Sequence, residues 1–493
     1  IFLDEQHGDE VPVQAVAWPD WWTDGVASAA NETKVVRNTH AQIAATNGLF
    51  AMARLLGIAL PASITREVDE VYDQLLFYDE HTHGAAESIS DPLAQNTINQ
   101  WGMKSAYAWE AAKRTHMLQE KALAFIEPEL PECDLPTIAV FNALNWPRSG
   151  LVEVFIQYEV VPEGVDVTIR DPRGRIVPAT LDRRRQEGAY YQLWVRDVPP
   201  MGYLTLQIHA GERPPNTEQQ VLLDNTYYRV EIAPDRGVIT RWYDKELQLD
   251  LLDPGDTLTL GQVIYEQLAN RHDLERLTNT NRDTIYRPLD LTRTTLSGVR
   301  VVGQSDGPVY HSITLQGDLP VCADERGVSI EIRMFKQAKR VDLLYSMFKR
   351  PVESPEAVYV SFPFGLEPGG LAYEAQGGVV RPGVDQLGGS AADWQAIQSF
   401  AAVRAEGVQI VMTSPDIPLV HFGDINIGRY YYRLKPQTNH IYSWVLNNYW
   451  VTNFKASQQG ELRWHYSLTS SSDTSDRFAT RTGWNARVPL VPR

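Results

Sequence analysis

The hydrophobic period of the chain changes near residue 130. Before it, apolar residues recur at helical spacing, with Ile64, Val68, Val71, Tyr72 and Leu75 on one face. A second helix is predicted from about Ala29 to Leu56, where Gly57 and then Pro61 supply the stop. A third carries Trp101, Ala108, Ala112, Thr115, Leu118, Ala122 and Phe125 in one stripe, between Pro92 and Pro128. Three such helices with short connections predict a three-helix bundle. After Pro136 the period drops to two. Residues 137–141, 152–156, 165–169 and 203–208 read as strands of a small sandwich, bounded by Pro and Gly turns. The stretch from Gly211 to Thr217, containing Pro214 and Pro215, is a linker candidate. Beyond it Asp235-Arg236-Gly237 joins two alternating runs as a hairpin, and strand-like runs continue to about Leu468, which predicts a large antiparallel β-sandwich. The fold class is therefore α+β and multidomain, without internal repeats.

Composition narrows the function classes. A chain of 493 residues exceeds one ordinary core. The net charge of −17 repels phosphate backbones and argues against nucleic acid. No apolar run is long enough to span a membrane, so no membrane role is expected. Neutral ligands remain, and 13 Trp with 22 Tyr suit the apolar faces of sugars. Cys133 and Cys322 are too few and too far apart for a disulfide framework or a cysteine zinc site. Ile1 opens the chain without an initiator Met or signal-peptide pattern, so it reads as the middle of a longer protein. The expectation is a soluble protein, with the cytoplasm favoured and export left open. The last residues, Leu490-Val491-Pro492-Arg493, read either as native sequence or as the remnant of an engineered protease site, and are left out of the fold reasoning.

Five segments carry a family resemblance in chain order. These are residues 20–28 (DWWTDGVAS), 78–88 (YDEHTHGAAES), 140–148 (VFNALNWPR), 225–253 and 442–454 (YSWVLNNYWVTNF). Together they resemble the middle and C-terminal parts of glycoside hydrolase family 38, the α-mannosidase family. The resemblance implies that residues 1–28 form the end of a catalytic barrel and its junction, 29–130 the helix bundle and 131–213 the small sandwich. It further implies a mutarotase-like sandwich over 214–489, with 490–493 as the tail. It also implies retaining hydrolysis of α-mannosides, in which one carboxylate attacks the anomeric carbon and a second serves as acid and then base. A zinc ion gripping two sugar hydroxyls assists. The family takes its nucleophile and first zinc ligands from the N-terminal barrel, for which this chain has no counterpart, so the catalytic residues are unassigned and that barrel is the expected partner. His7-Gly8-Asp9 has the letters of the family's metal element but precedes the barrel exit, where a solvated loop is the plainer reading.

Residues 79–87 are the best candidate site. An ungapped match puts Asp79 where the family has its zinc-binding His, and Glu80 at the neighbouring Asp. Three alternatives stand: Asp79 binds metal through oxygen, the register shifts so that His81 does, or no metal binds. Glu80 and His83 are candidate substrate contacts, with a ring packed against helix ends as the other reading of His83. In the sandwich, Gln386, Asn447 and Tyr449 are candidate sugar contacts, because carboxamides offer donor and acceptor together; buried turn-stabilising side chains are the alternative. Trp21 and Trp22 either stack on a sugar or anchor the junction, and Asp20 and Asp24 read as helix caps. Two function classes follow: the C-terminal portion of a zinc-assisted glycoside hydrolase, or a non-catalytic carbohydrate-binding or scaffolding fragment. Epimerase or lyase chemistry on the sandwich lacks a defensible His and carboxylate pair.

Overall fold

The computed structural model describes residue 8 and residues 13–212, 223–274 and 289–493. His7 and Asp9, and most of the linker candidate, lie outside the described residues. A 3-10 helix, Thr23–Ala29, leads into helix α1, Ala30–Leu55. Helices α2, Ser63–Asp79, and α3, Gln95–Ile126, complete the bundle. α2 buries Ile64, Val71, Leu75 and Tyr78 on one face, and α3 buries Ala108, Ala111, Thr115, Leu118 and Ala122. The small side chains of α3 let α1 approach closely, so these helices pack as ridges into grooves. Trp101 and Phe125 flank the stripe predicted for α3, while the charged Lys104 lies within it. α1 is buried on more than one side because it also faces the large sandwich: Arg37 donates to the carbonyls of Pro415, Ile397, Gln398 and Ser414 at 2.8–3.1 Å.

The small sandwich pairs a four-stranded antiparallel sheet with a three-stranded one. In the first, Thr137–Asn142 lies beside Gly202–Ala210, in register from Thr137 opposite Gln207 to Asn142 opposite Gly202. The second comprises Arg148–Gln157, Gly188–Val198 and Ala179–Arg184. Between them lie Val140, Val152, Val154, Ile169, Leu193 and Leu206.

The large sandwich has a nine-stranded and a six-stranded antiparallel sheet, with a short three-stranded sheet beside them. The predicted hairpin forms the latter, its turn closed by Gly237 at φ +70°. In the six-stranded sheet Glu356–Phe364 and Asn439–Asn447 are neighbours at the centre, buried along their full length. The α+β architecture expected from the sequence is thus present. Two features differ from expectation. The tail is part of the fold: Val491 lies opposite Phe141 and Pro492 opposite Val140, with Leu490 and Val491 buried. Apolar burial at both positions, together with the paired backbone of Arg493 and Ala139, accounts for this. An unexpected helix, α4, Asp476–Arg487, is capped by the Ser475 hydroxyl on the Phe478 N–H.

Candidate functional site

α2 ends at Asp79, and a lysine from α3 closes that end. The Lys104 ammonium donates to the carbonyls of Phe77 and Glu80 at 2.9 and 2.7 Å, where the helix leaves acceptors unpaired. It also reaches the Glu80 carboxylate at 3.2 Å. Burial disfavours ionisation of Glu80, but hydrogen bonds from Thr82 and Lys104 outweigh it and hold the carboxyl below the usual range. The following loop is clamped to the sandwich. The His83 N–H donates to the Asn453 carbonyl at 2.9 Å, the Asn453 N–H to Ala85 at 3.2 Å, and the Thr452 hydroxyl to Ala86 at 2.8 Å.

Three aromatic rings from distant segments meet over this clamp. Trp22 lies 5.2 Å from the His81 ring and 4.8 Å from Trp450. The Trp22 and His81 side chains are accessible, at 36% for Trp22 and 62% for the imidazole. His81 Nδ1 is 2.8 Å from the Glu80 carboxylate. Trp22, His81 and Glu80 therefore present an aromatic and polar shelf at the rim of the bundle. Beneath it Asp24 is buried, accepting the Trp450 indole N–H at 2.9 Å. Burial pushes its carboxyl up to about 7 despite that bond. Asp24 is a buried acid beneath the shelf rather than a helix cap, and Asp20 takes the Trp22 N–H instead.

The other candidates occupy different places. His83 is buried and packs against Tyr78 and Phe454; burial, with Lys104 nearby, lowers its imidazole to about 4, and it lines a cavity between α1 and the end of α2. Asp79 points to α1, where His40 Nε2 is 2.8 Å from its carboxylate. Gln386, Asn447 and Tyr449, the candidate sugar contacts of the sandwich, are buried with their polar groups engaged. The Gln386 amide donates to Tyr373 and Gln395 and accepts from Gly383, and Asn447 donates to the Asp24 carbonyl. The Tyr449 hydroxyl donates to Glu266 at 2.6 Å. Asn447 thereby pins the sandwich to the junction, while Gln386 and Tyr449 bond within the sandwich. Trp21 packs against Trp394 and Tyr430 as an anchor. His40 and Lys104 escaped sequence reasoning, as did the contact between Asp24 and Trp450, because the partners are far apart in the chain.

The donors do not compose a zinc site by themselves. A protein zinc site takes at least three side-chain ligands. Among the described residues no three His, Cys, Asp or Glu side chains are grouped in that way. Asp79 is engaged with His40 and His81 with Glu80, each a pair. Also among the described residues, no helix is long and apolar enough to cross a membrane.

No family model and no curated protein sequence matches the chain. Solved structures do. A glycosyl hydrolase family 38 protein from Enterococcus faecalis superposes with a TM-score of 0.68 at 15% identity, over 100% of this chain and 62% of that one. An alpha-mannosidase from Enterococcus faecalis V583 gives 0.68 at 16% identity, over 99% and 61%. A galactose mutarotase-like protein from Lactobacillus casei is matched over 51% of this chain and 99% of its own, at 9% identity and a TM-score of 0.29. The chain spans about three fifths of the length of the two Enterococcus proteins. Over its whole length, it has the fold of the C-terminal portion of a family 38 glycosyl hydrolase.

Proposed function

We propose that the chain is the C-terminal portion of a retaining glycoside hydrolase acting on α-mannosides or related glycosides, and that the Trp22–His81–Glu80 shelf borders its sugar site. The observation that supports this is the shelf itself: an accessible indole and imidazole beside an anchored carboxylate, on the fold of a hydrolase family. A hexose presents an apolar face that an indole covers, and its hydroxyls suit a carboxylate acceptor. Glu80 is held in place by Lys104 and Thr82, so it binds without reorganising. The attacking carboxylate and its acid partner belong to an N-terminal barrel that completes the site. The described donors do not fit zinc, so no step is assigned to a metal; Asp79 or His81 would need further donors from elsewhere.

The test begins with intact mass and metal content, followed by aryl α-mannoside hydrolysis with and without zinc. The 493-residue chain alone should release no aglycone, and the chain joined to its barrel should turn over, with Trp22→Ala raising KM. Turnover by the isolated chain would refute the external nucleophile. Mannoside binding that Trp22→Ala abolishes, without turnover in the joined protein, would favour a non-catalytic carbohydrate-binding role.

A further inference from the structure

A cavity of ≈ 400 Å³ opens between α1, the end of α2, the large sandwich and α4. Asp79 and His40 line it, as do Arg37, Trp484 and Arg487. Among the described residues neither arginine makes an ion pair, and each donates to backbone carbonyls instead. Arg37 directs its guanidinium at four backbone carbonyls. Arg487 donates one N–H from each terminal nitrogen, to the carbonyls of Gln398 and Arg37 at 3.0 Å. Its Nε–H and one further N–H on each terminal nitrogen are left over. Burial and the neighbouring Arg487 charge lower Arg37 to about 9, a sign of two cations held together.

Three carboxylates, Asp416, Glu374 and Asp79, surround the pair and each favours the charged form of Arg37. Glu374 is buried nearby and accepts the Trp484 indole N–H at 2.9 Å. Asp416 is shared by His465, Lys34 and Asn38. Asp79 is accessible and faces His40. The remaining walls include Val36, Ala44 and Val488. A guanidinium edge, an indole and apolar walls around this volume match a small ring that carries a carboxylate.

We infer that this cavity binds an acidic sugar, with Arg487 gripping the carboxylate of a uronic acid. The inference goes beyond the glycoside-acting reading above, because this cavity is lined by none of Trp22, His81 and Glu80. Calorimetric titration of the full chain with D-glucuronate, D-glucose and inorganic phosphate tests it. Glucuronate should bind at least tenfold more tightly than either of the others. Arg487→Met should weaken glucuronate at least tenfold while leaving the weak glucose signal unchanged. Because Arg487 also holds carbonyls, the variant Ala44→Trp, at an exposed position of α1, gives a second reading by filling the cavity. It should abolish glucuronate binding in a folded protein. Equal binding of glucuronate and glucose, phosphate binding as tightly as glucuronate, or glucuronate binding untouched by Ala44→Trp would each overturn the inference. No hydrolysis is needed, so mannoside turnover without glucuronate binding sinks this inference alone, while glucuronate binding without turnover in the joined protein sinks only the hydrolase reading.

Discussion

Two residues beneath the shelf show how tightly the junction is constrained. A Cβ at Gly25 would stand 2.0 Å from the Phe454 ring, which is itself fixed between Trp450 and His83. Gly25→Ala should therefore destabilise the protein by about 1–3 kcal/mol, the usual range for overpacking, or more if the ring cannot move, as chemical denaturation would measure. Gly102→Ala, which meets nothing within 4 Å in an exposed stretch of α3, is the opposing control and should stabilise by about 0.5–1 kcal/mol. Asp24 makes a prediction in pH. Its carboxyl titrates at about 7 in the folded protein against an ordinary 3.8. Between those values the folded state keeps a proton that the unfolded state has lost, so this group's contribution to stability falls as pH rises and levels off above 7. His83 opposes it: with a folded value of about 4 against an ordinary 6.5, it adds stability as pH rises through that window. The wild-type profile blends the two, whereas the difference between Asp24→Asn and wild type isolates Asp24. The variant should gain relative stability from pH 4 to 8, by up to roughly 4 kcal/mol. A flat difference would show that the carboxyl titrates normally.

At the scale of elements, the regular periods were legible and the irregular pieces were not. The bundle showed in the sequence because α2 and α3 each bury a single stripe, and strands such as Val328–Phe335 showed because their two faces alternate, unlike the fully buried central strands. α4 escaped because it is short and mostly polar: it buries Ala479 and Gly483 and packs Phe478 and Trp484 only partly against the cores. The signal available was its cap, Ser475 followed by Asp476. The candidate loop was legible in the sequence, whereas the partners of its side chains were not, since these come from across the bundle and the sandwich. Lys104 is the clearest instance: within a buried stripe it would be an unpaired charge, were it not placed against the open end of α2. Lys104→Met keeps the length and apolar stem but removes the donor from two carbonyls and from Glu80. It should cost about 1–3 kcal/mol, the desolvation penalty of acceptors left unmatched. It should also loosen residues 80–88, seen as faster amide exchange there than in the rest of the bundle. Uniform exchange throughout the bundle would argue that the loop is held by the sandwich clamp alone.

The whole molecule is held by bonds between segments hundreds of residues apart, and no local pattern reports them. Arg37 joins α1 to residues 397–415, Asn447 joins the six-stranded sheet to Asp24, and the final residues join the small sandwich to the bundle. The last of these is where sequence reasoning erred, because Leu490-Val491-Pro492-Arg493 looks like an appendage in letters alone. In the structure Arg493 exchanges both backbone bonds with Ala139, at 2.9 and 2.8 Å, and its guanidinium meets Glu120 and Glu127 on and just after α3. Leu490 packs into the small sandwich core and Val491 into the bundle core, so the tail bridges two hydrophobic clusters. Each buried side chain of this kind contributes about 1.5–3 kcal/mol, whereas the accessible ion pairs of Arg493 add at most about 1 kcal/mol each. Ending the chain after Pro489 should therefore lower stability by several kcal/mol, chiefly through the two apolar side chains. Arg493→Ala alone should have a small effect that shrinks with added salt. If the truncated chain melts with the full chain, the tail does not form this bridge in solution; if Arg493→Ala matches the truncation, charge rather than apolar burial holds it.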